Sequence, residues 1–260
     1  MVEPHYPPIT WAQHELRSGK VSSASHRSRF RIMAGALLLL VVLGLALLGF
    51  WQLDRADQKQ QMLDAVAQVL ALRRPVATGQ VLDRTSGHFA WAVVSGHFEM
   101  PLIFLDNQHY QGRSGVRLYA PLAVPGENTR LLVDLGWLPW PAGRVLPKVQ
   151  LPEGPITLSG LLAPPPSVGL RVGEIAQVGQ APMLLTRLDP EELGAHGDVL
   201  YAARVLRLDP ASPFGYARDL DVLPNTLPPE RHRGYAVQWF ALAAALFFLM
   251  LWQHRHKKDA

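Results

Sequence analysis

The chain has 260 residues, 48% hydrophobic and 18% charged, and contains no cysteine. This length suits one ordinary domain with anchors, and the apolar content excludes a disordered chain. The missing thiol excludes a disulfide framework, an iron–sulfur cluster, a thiolate zinc or copper site and a cysteine nucleophile.

The formal net charge of +4 sits in the tails. Arg17, Lys20, Arg27, Arg29 and Arg31 precede residue 50, and Arg255, Lys257 and Lys258 lie in the last ten, while Trp51 to Met250 is close to neutral. A nucleic-acid partner needs clustered charge on a binding face, so none is expected. Charge confined to tails is instead the pattern of membrane topology.

In chain order, residues 1–31 read as a basic tail. Ile32 to Phe50, IMAGALLLLVVLGLALLGF, carries no charge. At 1.5 Å per residue it spans about 28 Å, close to the hydrocarbon core of a bilayer. A cleaved signal peptide has a shorter apolar run and a small-x-small site after it. Here the run passes straight into Trp51, Gln52 and Leu53, so a retained anchor is expected. Residues 51–74 form a juxtamembrane helix, with Leu63, Val66, Ala67 and Leu70 at i, i+3, i+4 and i+7, ended by Pro75 and Gly79.

Over residues 75–222 the period changes to short β-forming runs. Strands are expected at Phe89–Val94, Leu102–Leu105, Val116–Leu122, Arg130–Leu135, Ile156–Leu162, Met183–Leu188 and Leu200–Leu208. Turns are expected at Asp106-Asn107 and Pro125-Gly126, a loop at Pro164-Pro165-Pro166 and a helix start at Asp189. The pattern predicts a mainly β (α+β) domain, a small antiparallel barrel or sandwich. A Pro-rich linker occupies 223–234.

Residues 235–252 form a second apolar run from Tyr235 to Trp252, broken only by Gln238. A buried core helix is the alternative. Against it, the unbroken AALFFLMLW leads into a basic tail at 253–260, and aromatics flank both ends as in membrane-interface belts. The positive-inside rule then places both termini in the cytoplasm and, in a bacterium, the middle in the periplasm, with a multi-pass chain in the cell inner membrane.

No P-loop, GxGxxG, HExxH or GxSxG pattern is present, and no enzyme activity is expected. His88 and His97 are nine apart, which in one strand puts them on opposite faces. The unusual residues lie at the helix mouths. Trp51 and Arg55 are i,i+4; His232, Tyr235 and Trp239 are i, i+3 and i+7. One reading is interfacial anchoring by aromatic and cationic groups. The other is a ligand site between the two mouths: a neutral imidazole can ligate haem iron, aromatics can pack on the macrocycle, and Arg55 can pair with a propionate.

Four blocks carry a resemblance. GFWQLDRADQK at Gly49, LDNQHYQGRSGVRLYAPL at Leu105, LLVDLGWLPW at Leu131 and HRGYAVQWFALAAAL at His232 resemble, in order, the blocks of the surfeit locus protein family (member one, the cytochrome c oxidase assembly factor). The resemblance implies two membrane helices around an outward-facing domain and a chaperone role in respiratory-chain biogenesis. It also implies transient haem a binding and its loading into oxidase subunit I, with haem A synthase as a further partner. His232 is then the metal ligand to haem iron, with Tyr235, Trp239, Trp51 and Arg55 around the cofactor. A haem-free scaffold for subunit I is the alternative. The chain departs from the family at Asp134-Leu135 (Asn-Arg in the family), Gln108 (Arg) and Val116 (Tyr), all in the outer domain.

Overall fold

The computed structural model describes residues 21–85, 88–166, 182–195, 199–222 and 227–256, without side chains for 21–28 and 31. Most of the expected N-terminal tail, residues 223–226 of the linker and residues 257–260 of the C-terminal tail lie outside the described residues. The elements in order are α1 (Val21–Leu72), α2 (Thr78–Val81), β1 (Ala90–Phe98), β2 (Ile103–Tyr110), β3 (Arg113–Ala123), β4 (Thr129–Pro139), a 3-10 turn (Ala142–Arg144), β5 (Ile156–Ala163), β6 (Met183–Leu185), α3 (Pro190–Ala195), β7 (Leu200–Leu208) and α4 (Pro229–His256). The chain divides into two compact units: Met1–Gln58 with Pro228–Ala260, and Lys59–Leu227.

In the first unit, α1 and α4 are each long and apolar enough to cross a membrane. Only 6% and 11% of their most apolar windows are buried by protein, whereas the core helix of a soluble domain would be mostly buried. Leu37, Leu40, Leu47, Val237 and Phe248 are all exposed. Pro229 opens α4 where a proline costs nothing, because the first-turn N–H groups have no helical partner.

The second unit is a seven-strand sheet ordered β1-β5-β7-β4-β3-β2-β6, with a further pairing of β1 to β3. The pairings thus run in a circuit through β1, β5, β7, β4 and β3 and back to β1. Each expected strand is present, but the sheet is mixed rather than antiparallel: β4 pairs β7 in parallel, and so does β2 with β6. An odd circuit of five strands cannot alternate direction all the way round, so at least one neighbouring pair must run parallel.

The expected turn at Asp106-Asn107 is instead an irregularity inside β2. Asn107 takes φ 57°, and the register to β3 shifts between Leu105 and Gln108. Asn tolerates the left-handed region that such a bulge needs. The hairpin turns at Gln111 and Gly112, both with positive φ, as the twist of a tight two-residue connection demands. The Pro125-Gly126 turn is present, with Gly126 at φ 82°.

One face of the sheet forms the main core, with Ala92, Phe104, Leu118, Leu122, Val133 and Leu162 all essentially inaccessible. Val116 and Leu135, two of the departures from the family blocks, belong to this core. On the other face, registered partners form one row across the sheet: Trp91, Leu161, Arg207, Asp134, Tyr119, Ile103 and Met183. Val66, Val69 and Leu70 of α1, at helical spacing, cover the Trp91–Leu161 end. Leu188 and Leu193 cover the Ile103 end. Arg73 lies over the Trp91 ring at 4.7 Å and pairs with Asp209 at 3.0 Å. Lys59 Nζ donates to the Leu227 carbonyl, joining the first and last residues of this unit.

Candidate functional site

The helix-mouth residues all fall within the first unit. On α1 the covered positions are Gly49, half-buried Gln52 and fully buried Ala56, at i, i+3 and i+7. On α4 they are His232, Ala236 and Ala243, at i, i+4 and i+11, with 7%, 1% and 7% exposure. These spacings put each set on one helix face. Phe240 meets Phe50 edge to face at 5.1 Å between ring centroids, so aromatic packing joins the helices below the mouth.

The polar contact at the mouth is between His232 and Gln52, whose Oε1 lies 2.7 Å from His232 Nδ1. Both side chains lie at the edge of an apolar run, where burying a polar group is costly unless it is hydrogen-bonded. Their pairing is what permits the burial.

The five expected site residues are placed differently. His232 is in the helix seam and Trp239 is half-buried. Trp51 and Tyr235 expose 55% and 38% of their surface. Arg55 is exposed, and its guanidinium donates to Gln58 Oε1 at 3.0 Å; Gln58 in turn donates to Asp54 at 2.8 Å. Arg233 stands 3.9 Å from Asp57, both in solvent, a pairing of little energy. Gln52 was the residue whose role spacing alone did not reveal. The signal was its place, a polar amide one residue inside the Trp51–Arg55 pair and at the end of an apolar helix.

The β unit holds a second polar group of residues, in the middle of the row across the sheet. Arg117 donates to Asp134 at 2.6 Å, and Arg207 lies 3.8 Å from the same carboxylate. Asp134 Oδ1 also accepts the Gly136 N–H at 3.0 Å. Burial alone would lower the Arg117 pKa, but the Asp134 carboxylate outweighs it and holds the guanidinium above its ordinary value. Tyr119, opposite Asp134, has its phenol pKa pushed up, first by burial and then by that carboxylate. Arg207 NH1 donates to the Asp221 carbonyl at 2.6 Å, which ties the returning segment over the row. This is a structural clasp, since its charges are paired and covered. His97 is exposed 3.6 Å from Glu99, and His88 is exposed before β1; no group of three metal-ligating side chains occurs among the described residues.

No curated protein matches the chain. The SURF1 family matches residues 39–244, which takes in both helix mouths and the whole β unit. With a match over most of its length, the chain belongs to the SURF1 family.

Proposed function

We propose that this protein is an assembly factor of cytochrome c oxidase that binds haem a transiently at the mouths of α1 and α4 and helps load it into oxidase subunit I. The SURF1 family acts in cytochrome c oxidase assembly, and it is a family of assembly factors rather than enzymes. The observation that carries the finer reading is the His232 imidazole, held through Nδ1 by Gln52. A hydrogen bond from the remote ring nitrogen to an acceptor is the usual support of a metal-ligating histidine.

The donor set suits haem. His232 offers a neutral imidazole, exposed Arg55, Arg231 and Arg233 offer cations for propionates, and Trp51 and Tyr235 offer uncovered aromatic surface. When bound, haem would supply an iron that the His232 imidazole could ligate. The remaining work is the chain's: the arginines neutralise carboxylates, and the aromatics exclude water. Because His232 is only 7% exposed, the helix mouths have to part before its ring is reached.

Five basic residues before the first span support cytoplasmic termini, an inner-membrane location and a periplasmic β unit. The closed circuit of strand pairings supports reading that unit as a small barrel. The partners on this reading are subunit I and, as the source of haem a, haem A synthase.

The burial of His232 favours a second reading, a haem-free scaffold for subunit I in which the Gln52–His232 bond simply joins the helices, as polar pairs do in membranes. Haem analysis of full-length protein purified from cells that make haem a separates the two. Haem a in the wild type and its loss in His232→Ala are expected. Full haem occupancy in His232→Ala sinks the ligand assignment, and a haem-free wild type leaves the scaffold.

A further inference from the structure

We infer that Gln52 is the positioning residue of this site: its amide oxygen holds His232 in the tautomer with the proton on Nδ1, so that the lone pair is on Nε2. The inference rests on the haem-binding reading for its purpose but not for its geometry. Gln52 Oε1 lies 2.7 Å from Nδ1, and an amide oxygen accepts but never donates. A contact that short therefore needs the N–H on Nδ1, and a neutral imidazole carries only one proton.

The surroundings explain why this pair is built. On α1, Gln52 is flanked along its face by Gly49 and Ala56, which have no polar side chain. On α4, His232 is followed along its face by Ala236 and Ala243. Gln52 and His232 are thus polar groups set among small apolar residues on these two faces. Arg55, one turn from Gln52, is occupied by Gln58 and by its position on the exposed flank. Arg233, next to His232 in sequence, points to Asp57. Nδ1 of the imidazole is thus met by a neutral acceptor. A neutral partner fixes orientation while adding little basicity, which suits a ligand that must release its cargo.

The consequence is specific. Without Gln52 the ring is free to carry its proton on Nε2, and the ligating nitrogen is then blocked in part of the population. A leucine at 52 keeps similar bulk but removes the acceptor; a glutamate preserves the acceptor.

The test uses full-length protein in detergent micelles, labelled with nitrogen-15 histidine, in mildly alkaline buffer. The His232 resonances are those lost in His232→Ala. The expected wild-type spectrum shows a protonated Nδ1 and an unprotonated Nε2. Gln52→Leu shifts the pair toward protonated Nε2, and Gln52→Glu keeps the wild-type pattern. In a second arm, haem a is titrated into the same proteins and followed by its visible spectrum. Gln52→Leu weakens binding by about 10–100-fold, the usual effect of losing such a partner, and Gln52→Glu restores it. A wild-type His232 with protonated Nε2, or a tautomer unchanged in Gln52→Leu, overturns the assignment without any use of haem. A wild type with the expected tautomer but no haem binding overturns the proposed function and leaves the positioning intact.

Discussion

Gly49 lies against the ring of Phe240, so close that a Cβ on Gly49 would stand 2.6 Å from Phe240 Cε1. The same ring meets Phe50 edge to face. Glycine at 49 is therefore required by a neighbour, not by its own backbone freedom. Gly49→Leu forces the ring aside and is expected to cost about 1–3 kcal/mol, as overpacking does. Thermal melting of the detergent-solubilised protein measures it, and adding Phe240→Ala should recover part of the loss. An unchanged melting curve for Gly49→Leu would contradict the contact.

The buried triad of Arg117, Asp134 and Arg207 makes a sharper prediction. Asp134→Ala leaves two covered guanidinium groups without their carboxylate, a change that typically costs about 3–5 kcal/mol. Asp134→Asn keeps one of the two acceptor oxygens, enough for Arg117 or for the Gly136 N–H but not both, and should cost less. Denaturant unfolding of the two variants decides the order. Equal losses would mean that the carboxylate charge, not the acceptor, holds the row together.

Tyr119 gives the pH dependence. Its hydroxyl is buried and has no hydrogen-bond partner among the described residues. Burial raises its pKa in the folded chain, while the unfolded chain releases the proton near the ordinary tyrosine value of about 10. Below that pH both states keep the proton and stability is unaffected. Above it the unfolded state loses a proton that the folded state retains, so stability falls as pH rises. Tyr119→Phe should be within about 1 kcal/mol of wild type at neutral pH and should flatten the alkaline decline. A steep loss for Tyr119→Phe at neutral pH would point to a partner for the hydroxyl.

Orientation in the membrane is open to direct labelling, because the natural chain contains no cysteine. A membrane-impermeant thiol reagent added to intact spheroplasts should modify Glu127→Cys, in the exposed turn after β3, but not Ala24→Cys. The reverse pattern would place the β unit in the cytoplasm and remove the periplasmic reading.

Much of the architecture was legible because local rules dominate there. The run from Ile32 to Phe50 has no charged or strongly polar side chain, so in a bilayer its backbone groups are satisfied within a helix. All seven expected runs contain a strand, although β6 stops at Leu185 and β2 runs on to Tyr110, since the runs are β-forming and separated by Gly, Pro or Asn. Ends were harder. The Asp106-Asn107 pair has turn chemistry, but its neighbours continue pairing with β3, so the same left-handed residue becomes a bulge and the turn falls at Gln111-Gly112.

At the helix mouths, periodicity singled out His232 and paired Trp51 with Arg55, but it could not say which faces meet. That is decided by what fits between two helices. Gly49, Ala56, Ala236 and Ala243 are small enough to be covered, whereas Trp51 and Tyr235 stay exposed, at 55% and 38%. By itself the sequence determined two apolar helices, a β-rich unit between them and the family. The tertiary structure decided that β4 and β7 run parallel, because five strands in a circuit cannot all alternate. It also decided that Gln52 meets His232, because a hydrogen bond between residues 180 positions apart has no signature in the spacing of either helix.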